Sequence, residues 1–272
     1  MPIERILITV KTYPTISSRY DELVCTAGLR EDGSWIRIFP VQYRQIENYE
    51  KKYKKWEWID INIEKNTSDH RVESFRPLDQ DSISVVNSVG TEQNWYIRKQ
   101  IVLENGSVYH DLDEIISLNK QGILSLATFK PSKILGFDIE EDDREWDPEK
   151  LKTIELKAKQ GDLFSDTPNL FKVAKKLPYK FSYRFEDSKG KSSKLMIEDW
   201  EIGQLYWNSL KRYNDESIAI QKVKEKYFDE FLSKNDLYLF LGTTKEWDKR
   251  GTNPFIIIGV FYPPIEIQNS LF

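Results

Sequence analysis

Trp56-Glu57-Trp58-Ile59-Asp60-Ile61-Asn62-Ile63-Glu64 places Ile59, Ile61 and Ile63 on one side and Trp58, Asp60 and Asn62 on the other. This two-residue period belongs to a strand with one buried face, and it points to a sheet or a small barrel. Upstream, Ile3 to Val10 is rich in β-branched residues. Leu23 to Gly28 and Trp35 to Val41 flank Arg30-Glu31-Asp32-Gly33-Ser34, where Asp-Gly accepts the positive φ of a tight hairpin turn. Downstream, helices are predicted across Glu92 to Leu103 and from near Ser107, where Asp111, Asp113 and Glu114 suit the positive end of a helix dipole. Strand character returns at Leu124 to Phe129 and Ile134 to Ile139.

The second half repeats the vocabulary without repeating the sequence. Tyr179 to Asp187 and Lys194 to Glu198 read as a hairpin around Ser188-Lys189-Gly190-Lys191. Helices fit Asp199 to Arg212 and Glu216 to Leu232, and strands fit Leu237 to Gly242 and Phe255 to Tyr262. The expected fold class is α+β: two β-rich units, small barrels or twisted antiparallel sheets, with flanking helices. The expected division is residues 1–145, a charged connection over 146–170, and residues 171–272.

Composition narrows the chemistry. Of 272 residues, 13% are aromatic and 31% charged, and the net charge of −4 argues against coating nucleic acid through an overall field. The single cysteine, Cys25, and two histidines, His70 and His110, provide no set for a structural zinc, and no glycine-rich phosphate loop is present. No metal or cofactor is therefore expected. A reducing, cytoplasmic setting is expected, because one cysteine cannot close an internal disulfide and no long apolar run suggests a membrane span.

The binding candidates are aromatic and basic. In Tyr179-Lys180-Phe181-Ser182-Tyr183-Arg184-Phe185 the rings alternate with Lys180 and Arg184, and Lys172, Lys175, Lys176, Lys189, Lys191 and Lys194 lie around it. Cations on phosphates and rings under bases would suit single-stranded nucleic acid, whereas an ordinary amphipathic strand would bury the rings. A second candidate interleaves Tyr49, Tyr53, Trp56 and Trp58 with Arg44, Lys51, Lys52, Lys54 and Lys55, with Arg37 beside Trp35. The nucleic-acid-binding set is thus Lys180, Arg184, Tyr183, Lys176, Lys191, Lys51, Lys52, Lys55 and Arg37. No catalytic residue is assigned. Asp142, Asp143, Glu145, Asp147 and Asp199 leave open a metal-dependent nuclease or nucleotide-processing enzyme whose carboxylates meet only in space, and an aromatic partner-binding subunit is a further alternative.

Gln160-Gly161-Asp162-Leu163-Phe164 and Gln268-Asn269-Ser270-Leu271-Phe272 share the pattern Gln-x-x-Leu-Phe. The pattern resembles the peptide by which bacterial polymerases and repair factors dock on the sliding clamp, with Leu and Phe filling a pocket and Gln beside it. One match arises by chance in roughly one chain of this size in twenty, so two are unusual. The resemblance implies docking through Gln160, Leu163, Phe164, Gln268, Leu271 and Phe272. Lys11-Thr12-Tyr13-Pro14, Val24 to Gly28, Trp35 to Pro40, Asp199-Trp200-Glu201 and Phe255 to Pro264 resemble an uncharacterised bacterial protein family, and the closing strand pair is similar to PUA/ASCH-like nucleic-acid-binding barrels. Together these resemblances imply a nucleic-acid-associated module, an accessory of DNA repair or mobile-element defence.

Overall fold

The computed structural model describes residues 3–17, 21–42, 53–79, 83–153, 156 and 174–265. Its first unit contains β1 (Ile3–Lys11), β2 (Thr15–Ser17), β3 (Asp21–Leu29), β4 (Trp35–Gln42), β5 (Glu57–Lys65), β6 (Ser74–Pro77) and β7 (Ser84–Ser88). Five of these close on themselves in the order β1-β3-β4-β6-β5 and back to β1, all antiparallel except β4 with β6. Numbered by position, this is 1-2-3-5-4-1 with strands three and five parallel, the Greek-key closure of an oligonucleotide/oligosaccharide-binding barrel. The isoleucine stripe decides which side is in: Ile59, Ile61 and Ile63 meet Ile6, Ile8, Val24, Ile36 and Ile38 in the barrel interior. The expected hairpin is present, with Gly33 at φ 80° in its turn.

The second unit follows α1 (Glu92–Lys99), which continues through a wider-pitched turn over Gln100–Asn105, then β8 (Val108–Tyr109) and α2 (Leu112–Lys120). The predicted second helix starts at Leu112, because the Asp111 carboxylate accepts from the Asp113 and Glu114 amides and sets the N-terminus there. β9 (Leu126–Phe129) and β10 (Lys133–Glu141) form one bent course around Pro131; β9 pairs with β13 (Tyr238–Thr243) and β10 with β11 (Tyr179–Glu186). β11 pairs with β12 (Ser192–Met196), and β13 with β14 (Phe255–Phe261). The ring closes where Ile197, just after β12, bridges Ile257 in the parallel sense. The order is again 1-2-3-5-4-1, and the segment between the third and fourth strands holds α3 (Trp200–Tyr213) and α4 (Glu216–Lys224), the latter extended through Phe231–Lys234. The chain therefore folds the same barrel topology twice without an internal sequence repeat.

This pairing corrects the division expected at residue 145. β9 and β10 close the second barrel, because a strand that feeds two neighbours through one bend cannot be separated from either. The barrels also pack on one another. Leu7, Val10, Ala27 and Leu29, on the outer side of the first barrel, join Leu126, Phe240, Ile258 and Phe261 of the second in one cluster. Trp56 and Trp95 meet at its edge, both in the left-handed backbone region, with the Arg98 guanidinium 4.3 Å from one ring centroid and 4.9 Å from the other.

Candidate nucleic-acid interface

The structure puts most of the sequence-predicted binding set to structural use. In β11 the rings of Tyr179, Phe181, Tyr183 and Phe185 all point into the second barrel, and Tyr183 donates its hydroxyl proton to the Tyr227 carbonyl. Tyr183 is thus a core residue and offers no surface to a base. Burial pushes its phenol well above the usual tyrosine range. Lys180 and Arg184 do face outward, but β10 and the residue that follows it bring acids to them: Lys180 lies 3.0 Å from Asp142, and Arg184 lies 2.8 Å from Asp138. Lys176 also binds Asp142 at 2.8 Å, and Lys191 pairs with Asp113. Asp142 is held down at about 2: burial alone would raise it, and Lys176 and Lys180 outweigh burial. The positive strip read from the sequence is therefore neutralised by its neighbours.

Arg37 corrects the reading differently. It is 1% exposed, sandwiched between the barrels, and donates to Ser125 Oγ at 3.1 Å and to the Thr243 carbonyl at 3.4 Å. Lys55 is likewise enclosed, with Nζ 3.1 Å from Asp199 Oδ1 and 2.9 Å from Glu201 Oε2. Burial alone would lower its ammonium, but the two carboxylates outweigh that and hold it above lysine's ordinary value. Lys51, Lys52 and all six docking-peptide residues lie outside the described residues. Asp142 and Asp199 share no partner, and no group of three or more His, Cys, Asp or Glu is positioned to hold a metal among the described residues.

A second cluster of rings and cations lies along α3. Asp199 caps α3 by accepting from the Glu201 amide at 3.1 Å, which fixes the rotation of the helix. Ile202, Tyr206 and Ser209 turn inward, and Trp200, Gln204, Asn208 and Lys211 form an outward stripe at helical spacing. This stripe floors a trough with two lobes of about 550 and 480 Å³ that share Trp200, Gln204 and Asn208. Lys54 and Trp56 border the first lobe, and Tyr13, Lys175, Trp207 and Lys211 border the second. Gly203 permits the close approach, since a Cβ there would fall 2.3 Å from the Tyr13 ring. Tyr13 stacks on Trp200 at 5.8 Å and accepts from Trp207 Nε1 at 2.7 Å. Lys54, Lys175 and Lys211 enter no ion pair among the described residues.

The sequence reading placed the helix correctly and missed this stripe. The signal was there: Trp200, Gln204, Trp207 and Lys211 recur at steps of four, three and four. A tryptophan at such spacing reads first as core, however, and the tyrosine that meets it is about 190 positions away in the chain.

Comparison with known proteins adds little about ligands. Among solved structures the chain is similar to the tetrameric p202 HIN2 (TM-score 0.31, 10% identity, 97% of this chain and 92% of that one). It is also similar to a murine DNA binding protein bound with double-stranded DNA (TM-score 0.32, 10% identity, 100% of both chains). At these scores neither likeness bears on this chain. No curated protein matches it. No helix is long and apolar enough to cross a membrane among the described residues. A family profile described as a domain of unknown function (DUF8758) matches residues 2–104. A second, also described as a domain of unknown function (DUF8757), matches residues 110–272, more than half of the chain, and the protein belongs to that family.

Proposed function

We propose that the protein binds single-stranded nucleic acid along the trough on α3. The observation that carries this reading is the coincidence of Trp200, Trp207 and Trp56 with Lys54, Lys175 and Lys211, three cations that enter no ion pair among the described residues. Rings stack on bases of any sequence, and lysines follow the phosphates, so such a surface can track a strand without reading it. Two barrels of a topology that elsewhere accommodates oligonucleotides support the same reading. The net charge of −4 fits recognition by a local patch.

The test is fluorescence anisotropy with a labelled single strand of about 12 nucleotides, a length within the range served by one such barrel. Binding is expected to weaken as salt rises, and Lys54→Glu plus Lys211→Glu, both exposed, should reduce affinity at least about tenfold while leaving the melting temperature unchanged. Equal affinity in the double variant, or a preference for blunt duplex, would overturn the assignment. The two Gln-x-x-Leu-Phe peptides support a further proposal, a tether to the sliding clamp. Alanine at Leu163, Phe164, Leu271 and Phe272 together is expected to abolish capture by the purified clamp, and undiminished capture would end that idea.

A further inference from the structure

We infer that the crevice between the two barrels is a binding site for a small phosphate monoester, centred on Arg37 and Arg71. This crevice, about 180 Å³, is lined by Cys25, Arg37 and Phe39 from β3 and β4, and by Arg71 from the loop joining β5 to β6. Glu198, Thr244 and Lys245 face them from the second barrel. In barrels of this topology, ligands meet the second and third strands and the loop between the fourth and fifth. Most of that face is covered here by Phe240, Ile258 and Phe261, so the crevice is the part of it still open.

Three cations, Arg37, Arg71 and Lys245, line the crevice with one acid, Glu198. Arg37 and Arg71 are 1% and 4% exposed. The Asp69 carboxylate takes Nε and Nη2 of Arg71, and the Glu73 carboxylate is spent on Ser125, so neither acid answers Arg37. Arg37 Nε has no hydrogen-bond partner among the described residues, which is costly for a donor so buried unless something fills the space beside it. Burial, and then the neighbouring Arg71, lower the Arg37 guanidinium from its ordinary value, outweighing Cys25, Glu73 and Asp69, which act to raise it. The Glu198 carboxyl, pushed up to about 7 by burial, can stand there as a neutral acid and donate a proton to an oxyanion. The volume admits an oxyanion with a few attached atoms and falls below the roughly 300 Å³ at which pockets for drug-sized ligands begin. The bulk of a larger ester would lie outside. The phosphate could come from a free mononucleotide or from the end of a strand, and the site does not depend on the trough along α3.

The experiment uses the full chain, calorimetric titration and the rate of Cys25 alkylation by iodoacetamide, since Cys25 lines the crevice and is the only cysteine. Inorganic phosphate and adenosine 5′-monophosphate should bind and slow alkylation several-fold, whereas chloride at equal ionic strength should not. Lys245→Glu, at the partly exposed rim, should weaken binding roughly tenfold without altering the melting temperature, as expected for loss and reversal of one charge contact. A 5′-phosphorylated oligonucleotide compared with its 5′-hydroxyl form distinguishes the sources. Protection by the phosphorylated strand alone assigns strand ends, protection by the mononucleotide alone assigns a small metabolite, and both results support the site. Absence of heat and of protection at about 10 mM ligand, a concentration that would saturate even a millimolar site, would overturn it. Binding unchanged in Lys245→Glu would do the same.

Discussion

Replacing Lys55 with methionine should lower stability by about 3–5 kcal/mol at pH 8, the usual cost of removing one member of a buried ion pair and leaving the other. Lys55 reaches from the first barrel to the N-terminus of α3 and holds both oxygens of Asp199, at 3.1 and 3.2 Å, as well as Glu201. Asp199 is fully buried. Burial raises its carboxyl even with the ammonium beside it, while Lys55 lowers the Glu201 carboxyl. Without the ammonium, Asp199 must ionise alone or stay protonated. The folded variant then binds more protons than its unfolded chain across the range above the ordinary carboxylate value, so its stability falls as pH rises. Urea denaturation should therefore show a deficit that shrinks markedly from pH 8 to pH 5. Adding Asp199→Asn, which keeps an N-cap oxygen, should recover most of the loss. A deficit below about 1 kcal/mol at both pH values would mean that the pair is solvated and the two units are joined by other means.

That ion pair also shows where sequence reading stops. The alternation of Ile59, Ile61 and Ile63 identifies a strand and its buried face, and that of Tyr179 to Phe185 divides rings from cations, because a period of two is a property of one segment; which face is buried is not, and Tyr183, read as a base-stacking ring, lies in the core. What a cation does depends on its neighbour across the sheet. Arg184 and Lys180 were legible as outward-facing, but Asp138 and Asp142 meet them only through the β10–β11 register. Arg37 reads as a surface cation beside Trp35, but the outside of one barrel is the inside of a junction with the other. The repeated topology left no repeated sequence, since the first-to-second-strand connection runs from Thr12 to Tyr20 in one barrel and from Asp142 to Pro178 in the other. Closure of each ring constrains pairing order and apolar pattern, and it leaves residue identities free. The crevice and the trough were illegible for a further reason: each is assembled from residues of both barrels, such as Cys25 with Glu198 and Tyr13 with Trp207.

The same crevice makes stability depend on pH through Glu198. Its carboxyl stands at about 7 in the folded chain against an ordinary value of 4.5, and burial is the cause. A raised carboxyl favours the folded state fully while both states are protonated. As pH climbs from about 4.5 to about 7 the unfolded chain gives up its proton and the folded chain does not, so stability falls through that window and levels off above it. The size of the shift sets a loss of about 2–3 kcal/mol, the lower figure allowing for the surface that Glu198 keeps toward the crevice. Glu198→Gln removes the titration, so the variant should be more stable than the parent by about that amount at pH 8 and equal to it at pH 4.5. Asp69, Asp142 and Glu216 stand at about 2 and erode stability only at lower pH; being common to both proteins, they cancel in the difference. The measurement is paired urea melts from pH 4.5 to pH 8 in buffers free of phosphate, which would otherwise stabilise the folded chain through the crevice. Curves that stay parallel across the window would mean that the Glu198 carboxyl is solvated and ionises as it does in the unfolded chain.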